Sequence, residues 1–261
     1  MTQSVKIKTV SIPAGSENQD RVNVFSRSGG LLLVLADGAG GSGGGGQAAE
    51  MAVRIVEESP EYKLNDPDSW KDLLFQIDQK LLYYQRNGTG ETSCLIVAIK
   101  DGFVCGASAG NSEALILHTD TEFHLETATG ADNSEVWILQ SEKFIDLTEN
   151  QHTKPLLGTG RAIPVSFGPV PFSGTILAGT DGLFHYSQYQ DILNALKIDD
   201  MGKCAEQLLA NVRLPSGSLW DDVTFAICRL DEEKSQTQKN PLGFIPEKLQ
   251  TQTAYAVFLI D

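Results

Sequence analysis

Positive charge is scarce in this chain of 261 residues: 20 Lys and Arg stand against 34 Asp and Glu, a formal net charge of −14 at pH 7. So acidic a surface repels nucleic-acid phosphates and anionic lipid headgroups, which argues against both as bulk partners. Cysteine is sparse too. Cys94, Cys105, Cys204 and Cys228 form no C-x-x-C pair and each has apolar neighbours. That argues against a zinc ribbon or a dithiol motif and fits small core residues in a reducing compartment. Apolar runs are short, and one such as Leu31 to Ala36 falls far below the length of a membrane span. No basic-then-apolar leader opens the sequence, so the expectation is a cytoplasmic protein. Histidine is scattered, with His118, His124 and His152 reading as surface or strand residues. No Ser or Cys stands out as a nucleophile.

What is present is enough chain for one large domain with a well-buried core. Short strand-like stretches come first: Val5 to Val10, Val22 to Phe25 and Leu31 to Ala36. Two amphipathic segments follow. In Gln47 to Glu58, Ala48, Met51, Ala52, Ile55 and Val56 recur at helical spacing; in Trp70 to Gln85, so do Trp70, Leu73, Leu74, Ile77, Leu81 and Tyr84. Ser69 with Asp72 resembles a capping box. The period then changes to that of strands at Ser93 to Lys100, Phe103 to Ala109 and Glu113 to His118, with Asp101-Gly102 as a hairpin turn. Val136 to Leu139, Thr175 to Gly179 and Val223 to Leu230 are further strands, and Gln188 to Leu196 and Met201 to Asn211 are short helices. Strands joined by turns imply antiparallel sheets, and paired helices imply layers that cover them. Residues 1–230 form one domain on this reading. Residues 231–261 read as a linker over Asp231 to Glu247 and a final strand, Ala254 to Ile260, on the same domain.

One motif invites a nucleotide. Gly38-Ala39-Gly40-Gly41-Ser42-Gly43 spells G-x-G-x-x-G between a strand and a helix. A dinucleotide-binding unit would open its domain with that strand, yet strands precede this one. It would also place an acidic residue at the end of a second strand, whereas Glu57-Glu58 end a helix. A P-loop would need Gly-Lys-Ser/Thr, which is missing.

The aspartates carry more. Asp37 ends an apolar strand and precedes Gly38; Asp181 ends another and precedes Gly182; Asp221-Asp222 lie just before Val223 to Ile227. Carboxylates on rigid strand ends, with glycines that let a carbonyl turn inward, suit a hard cation, although Asp-Gly is also a common turn. The order of short motifs is more specific: Asn18-Gln19-Asp20, Asp37-Gly38-Ala39-Gly40-Gly41, Gly90-Glu91-Thr92-Ser93, Gly110-Asn111-Ser112-Glu113-Ala114, Asp181-Gly182-Leu183 and Asp221-Asp222-Val223-Thr224. This resembles the metal-dependent type 2C protein phosphatases (PPM-type), whose motifs run N-E-D, D-G-x-G-G, G-T-T, G-D-S-R-A, D-G-L and D-N-x-T. The likeness spans about Gly15 to Leu230 and is similar to a bacterial branch that carries N-Q-D.

The resemblance implies an α+β fold, a four-layer α-β-β-α sandwich of two antiparallel sheets flanked by helix pairs. It implies two Mn²⁺ or Mg²⁺ ions bridged by a water that attacks phosphoserine or phosphothreonine in a protein substrate. Asp37 matches the bridging carboxylate, Gly38 the carbonyl ligand, and Asp181 and Asp221 the other ligands of one ion. Asp20 matches the carboxylate that, with Asp37, holds the metal-bound water. Gln19 stands where the family has a ligating Glu and implies a weaker second ion. The phosphate-gripping Arg falls on Gly15, and G-D-S-R has become Gly110-Asn111-Ser112-Glu113. With Asn111 and His185 in place of carboxylates, a third ion is not expected. Lys8 or Arg21 are the cations that could replace the Arg; the substrate-binding residues are otherwise unknown. The expected protein is a monomeric phosphatase, its departures from the motifs pointing toward reduced turnover, the alternative being a phosphatase-like regulatory or binding module with little activity.

Overall fold

The structure, a computed structural model, describes residues 4–39, 44–60, 64–85, 88–118, 122–127, 136–141 and 144–230. In chain order the elements are β1 (Val5–Ile12), β2 (Asp20–Arg27), β3 (Gly30–Ala39), α1 (Gly45–Glu57), α2 (Pro67–Tyr84), β4 (Glu91–Thr92), β5 (Cys94–Lys100) and β6 (Phe103–Ala109). Next come β7 (Glu113–Leu117), β8 (Glu122–Thr127), β9 (Val136–Ser141), β10 (Phe144–Asp146), β11 (Val165–Pro171) and β12 (Thr175–Gly179). The last are α3 (Asp181–Phe184), α4 (Tyr189–Leu196), α5 (Met201–Val212) and β13 (Val223–Leu230).

One sheet runs β11-β6-β5-β3-β2, with β4 pairing the end of β3; a second runs β1-β13-β12-β7-β10; β8 and β9 pair apart from both. Every pairing is antiparallel. The period of two along each strand decides which layer a residue joins. Leu32, Val34 and Ala36 of β3 pack with α1 and α2, while Leu33 and Leu35 join β7, β12 and β13 between the sheets. On the second sheet Leu177, Phe225 and Ile227 face α4 and α5, and Ile176, Ala178 and Ala226 face inward. Helices outside and sheets inside make the four-layer sandwich that the motif order implied. Strands buried on both faces explain why Leu31 to Ala36 is unbroken rather than alternating. Each such fully buried Leu or Ile stabilises by about 1.5–3 kcal/mol.

Local differences have local causes. The second helix begins at Pro67, before Ser69, because Pro at the first helical position is pre-set for the helix. Ser69 is therefore inside the helix, and its hydroxyl donates to Asp66 instead of capping the backbone. Strand β11 was not anticipated: Gly168 and Pro169 interrupt it, which only an edge strand with a register shift tolerates. The expected linker and final strand, from residue 231 onward, lie outside the described residues.

Candidate metal centre

The alternation that buries β3 also aims its aspartate. Leu33 and Leu35 point between the sheets, and Asp37 is next in that row. Asp20 sits opposite Asp37 in the β2–β3 register and is 3 % exposed. From the other sheet, Asp181 opens α3 directly after β12, and Asp221 and Asp222 precede β13. Four segments far apart in sequence thus meet at one end of the gap between the sheets.

Polar contacts fix this end. The Asp37 carbonyl accepts from the Thr92 hydroxyl at 2.8 Å and from the Ser93 amide at 2.8 Å. The Ser93 hydroxyl lies 3.3 Å from the Asp37 amide and 2.7 Å from the Ser112 hydroxyl. Gly90-Glu91-Thr92-Ser93 is therefore a clamp on the Asp37 peptide. Asp20 accepts from the Thr180 hydroxyl at 2.9 Å, and Thr180 in turn accepts from the Thr224 amide at 3.2 Å, tying the sheets together at the site. The Asn111 side-chain amide donates to Asp181 at 2.6 Å.

Asp222, noted in the sequence beside Asp221, was assigned no role of its own there. Its two oxygens accept from the backbone amides of Ala14 at 2.8 Å and Gln19 at 2.7 Å. The loop that delivers Gln19 and Asp20 is thus held by the neighbour of a candidate ligand. Only contacts across more than 200 residues reveal this role.

The electrostatics are those of crowded anions. Burial, then the Asp37 charge, pushes Asp20 up from the ordinary carboxylate range. Burial, then the Asp181 charge, does the same to Asp37, and burial and Asp221 raise Asp181. Among the described residues no three His, Cys, Asp or Glu stand close enough to hold an ion as they are placed, yet Asp20, Asp181 and Asp221 all act on Asp37. Further oxygens come from elsewhere. The Gly38 carbonyl and the Gln19 side-chain oxygen both face the point where a Gly45 side chain would stand, and the carbonyl lies 2.7 Å from it. The carboxylates of Asp20, Asp37, Asp181 and Asp221, with these two neutral oxygens close by, are the hard oxygen donors that a divalent cation prefers. Gln19 contributes an oxygen there without a charge.

The glycines serve close packing. A methyl on Gly38 would overlap the Gly45 carbonyl, and one on Gly44 would overlap the backbone at Gly88 and Gly90. The strand end, the start of α1 and the Gly88–Gly90 turn cross where only backbone fits. Gly40 to Gly43 lie outside the described residues.

Neither candidate replacement for the phosphate Arg points between the sheets. Lys8 shares the outward face of β1 with Val10 and Ile12, which pack on the α4–α5 layer. Arg21 alternates with the inward Val22; its guanidinium holds Glu50 at 2.7 Å and the carbonyls of Asn18 and Asp20 at 2.8 Å. At Gly15 a side chain would meet open space. His185 caps the end of α3 and packs edge-on against Tyr186. His118 bonds Ser173, His152 offers its carbonyl to Gly110, and His124 lies in β8.

Residues 9–137 match the family model of protein phosphatase 2C. No curated protein matches the chain. Among solved structures, a bacterial serine phosphatase superposes with a TM-score of 0.66 at 18 % identity, covering 88 % of this chain and 98 % of its own. The serine/threonine phosphatase Stp1 from Staphylococcus aureus gives 0.66 at 17 %, with 88 % and 96 % covered. The catalytic domain of the serine/threonine protein phosphatase PstP, in complex with two manganese ions, gives 0.63 at 16 %, with 87 % and 99 % covered. At these identities the structures establish a shared fold.

Proposed function

From the match of residues 9–137 to the protein phosphatase 2C model we propose that the chain is a member of that family and a metal-dependent protein serine/threonine phosphatase acting at the carboxylate-lined end of the sheet gap. The observation that carries the reading is the grouping of Asp20, Asp37, Asp181 and Asp221 with no Lys or Arg paired to any of them among the described residues. Asp20 is buried, Asp37 and Asp181 are partly buried and Asp221 is exposed; like charges drawn this far out of water are costly unless something positive joins them.

Asp37, within reach of both Asp20 and Asp181, is the carboxylate that would bridge two ions. Asp181 and Asp221 would complete one, and the Gly38 carbonyl and Gln19 oxygen would serve the other. Mn²⁺ or Mg²⁺ bound there supplies Lewis acidity, which makes water a better nucleophile and offsets phosphoryl charge. The remaining work belongs to the chain. Thr92 and Ser93 hold the Asp37 peptide so that its carboxylate stays in place. Asp20, with one oxygen engaged by Thr180, has the other to accept a proton from attacking water. Asn111 occupies one Asp181 oxygen, which leaves that carboxylate fewer lone pairs for a third ion. Four free, buried cysteines support a reducing compartment and hence a cytoplasmic setting.

The test is hydrolysis of a small aryl phosphate and of a phosphoserine peptide with Mn²⁺, wild type against Asp37→Asn. Metal-dependent turnover lost in the variant is the expected result. Wild type that binds Mn²⁺ in calorimetry but releases no phosphate from either substrate would sink the proposal in favour of a regulatory module.

A further inference from the structure

Next to the carboxylates lies a rim of exposed aromatic rings. Trp220 is 66 % exposed and immediately precedes Asp221. Tyr186 is 38 % exposed, follows the short helix that Asp181 opens, and packs edge-on against His185. On the other flank Tyr189 packs against Phe144 with ring centroids 5.4 Å apart, and both rings are partly open to solvent.

On the α4–α5 side of the second sheet, where Glu113 pairs with Gly179 two residues before Asp181, stand two acids that the proposed chemistry does not use. Glu113 and Asp146 come from β7 and β10, neighbours in the second sheet. Burial, then Asp146 and Asp181, raises Glu113 to about 7; burial, then Asp146 and Glu113, raises Tyr189 to about 12. Each group therefore feels the others. Neither acid is in an ion pair with Lys or Arg among the described residues, although one Asp146 oxygen accepts from the Thr148 amide at 2.8 Å and hydroxyl at 2.9 Å. In the motif order Glu113 occupies the place of an Arg, so the local charge is reversed relative to G-D-S-R.

Exposed aromatic faces beside unpaired carboxylates are complementary to guanidinium and ammonium groups. Ring faces attract cations, and the carboxylates add charge-assisted hydrogen bonds. No Arg stands at Gly15 to grip a phosphate, so contacts to what flanks the phosphate would add to the affinity that bound ions supply.

We propose that Trp220, Tyr186, Tyr189 and Phe144, together with Glu113 and Asp146, form a substrate-docking rim that selects protein segments carrying Arg or Lys beside the phosphorylated residue. This rests on the phosphatase reading of the adjoining site and names its substrate class. The rim acts on binding, so its effect falls on KM more than on kcat.

The experiment uses the full chain with Mn²⁺ and fluorescein-labelled peptides bearing a non-hydrolysable phosphoserine analogue, flanked by Arg, Ala or Glu. Fluorescence anisotropy should show the Arg peptide binding about tenfold or more tighter than the Glu peptide. Trp220→Ala and Tyr189→Ala should each weaken the Arg peptide roughly 2- to 5-fold, the range of one exposed cation–π contact. Glu113→Gln should narrow the gap between Arg and Glu peptides. Equal binding of the three peptides, or a preference for Glu, overturns the proposal, as does an aromatic-to-Ala variant that weakens all three alike. Aryl phosphate hydrolysis by wild type is read in parallel. Binding does not need turnover, so a failed phosphatase assay and a failed docking rim are told apart.

Discussion

Replacing Asp78 tests how far the site depends on a group that never approaches it. Asp78 lies on α2, is 1 % exposed, and accepts from three backbone amides: Gly158 at 2.7 Å, Gly160 at 2.9 Å and Ala162 at 3.3 Å. The segment it holds includes Leu157, whose amide and carbonyl both pair with Thr92, and Thr92 bonds the Asp37 carbonyl. Hydrogen bonds to a charged acceptor contribute about 1.5–3 kcal/mol each, and a buried amide left without a partner costs about 1–3 kcal/mol. Two short bonds and one long one, partly replaced by water at Gly160, put Asp78→Ala at about 3–5 kcal/mol. Asp78→Asn keeps one carbonyl oxygen but turns an NH₂ toward a donor, so its cost is about 1–3 kcal/mol. Against a stability of about 5–15 kcal/mol these are large fractions. Urea unfolding should show a lower midpoint with the slope unchanged for both variants, Ala more than Asn. The Mn²⁺-dependent rate should fall with the segment that braces Thr92. An Ala variant within about 0.5 kcal/mol of wild type would refute the reasoning, as would Asn costing more than Ala.

Three further outcomes follow from the same structure. Asp20 and Asp37 have folded-state pKa values raised above the ordinary 3.8, so the unfolded chain ionises first as pH rises. Metal-free protein should therefore be most stable near and below pH 3.8 as far as these two groups go, and lose that stability as pH rises through their raised values. Thermal melts should show Mn²⁺ raising Tm more at pH 8 than at pH 5; equal shifts would contradict the assignment. Gly38→Ala forces a methyl against the Gly45 carbonyl and should cost about 1–3 kcal/mol or more by denaturation, with weakened Mn²⁺ binding in calorimetry. Thr92→Val removes the hydroxyl that holds the Asp37 carbonyl; about 1 kcal/mol of stability and several-fold in kcat should go with it, checked by urea midpoint and steady-state rates.

How much was legible varied with the range of the interaction. Apolar periodicity marked β3, β5, β6, β12, β13, α1 and α2, because one buried face writes its period into nearby residues. The same logic failed for β11, where Gly168 and Pro169 are tolerated only by an edge that the sequence does not mark. At the site, Asp20, Gln19, Asp37, Gly38, Asp181 and Asp221 were named by motif order, and the structure brings their segments to one end of the gap. Asp222 and Thr180 were assigned no role there, since their work is a backbone amide at Ala14 and a carboxylate at Asp20, each remote in sequence. Lys8 and Arg21 show the converse. As isolated cations both looked able to meet a phosphate, until strand parity turned each away from the sheet gap.

By itself the sequence determined which residue types stand at the ends of which strands, the acidity of the surface, the absence of a charge at Gln19 and the likeness to protein phosphatase 2C. These are local or compositional properties. The tertiary structure alone decided that Asp37 shares its row with Leu33 and Leu35, that Gly38 is glycine because Gly45 lies against it, and that Asp222 anchors rather than ligates. Direction and distance arise only when two sheets pack face to face and bring residues hundreds of positions apart within hydrogen-bond range.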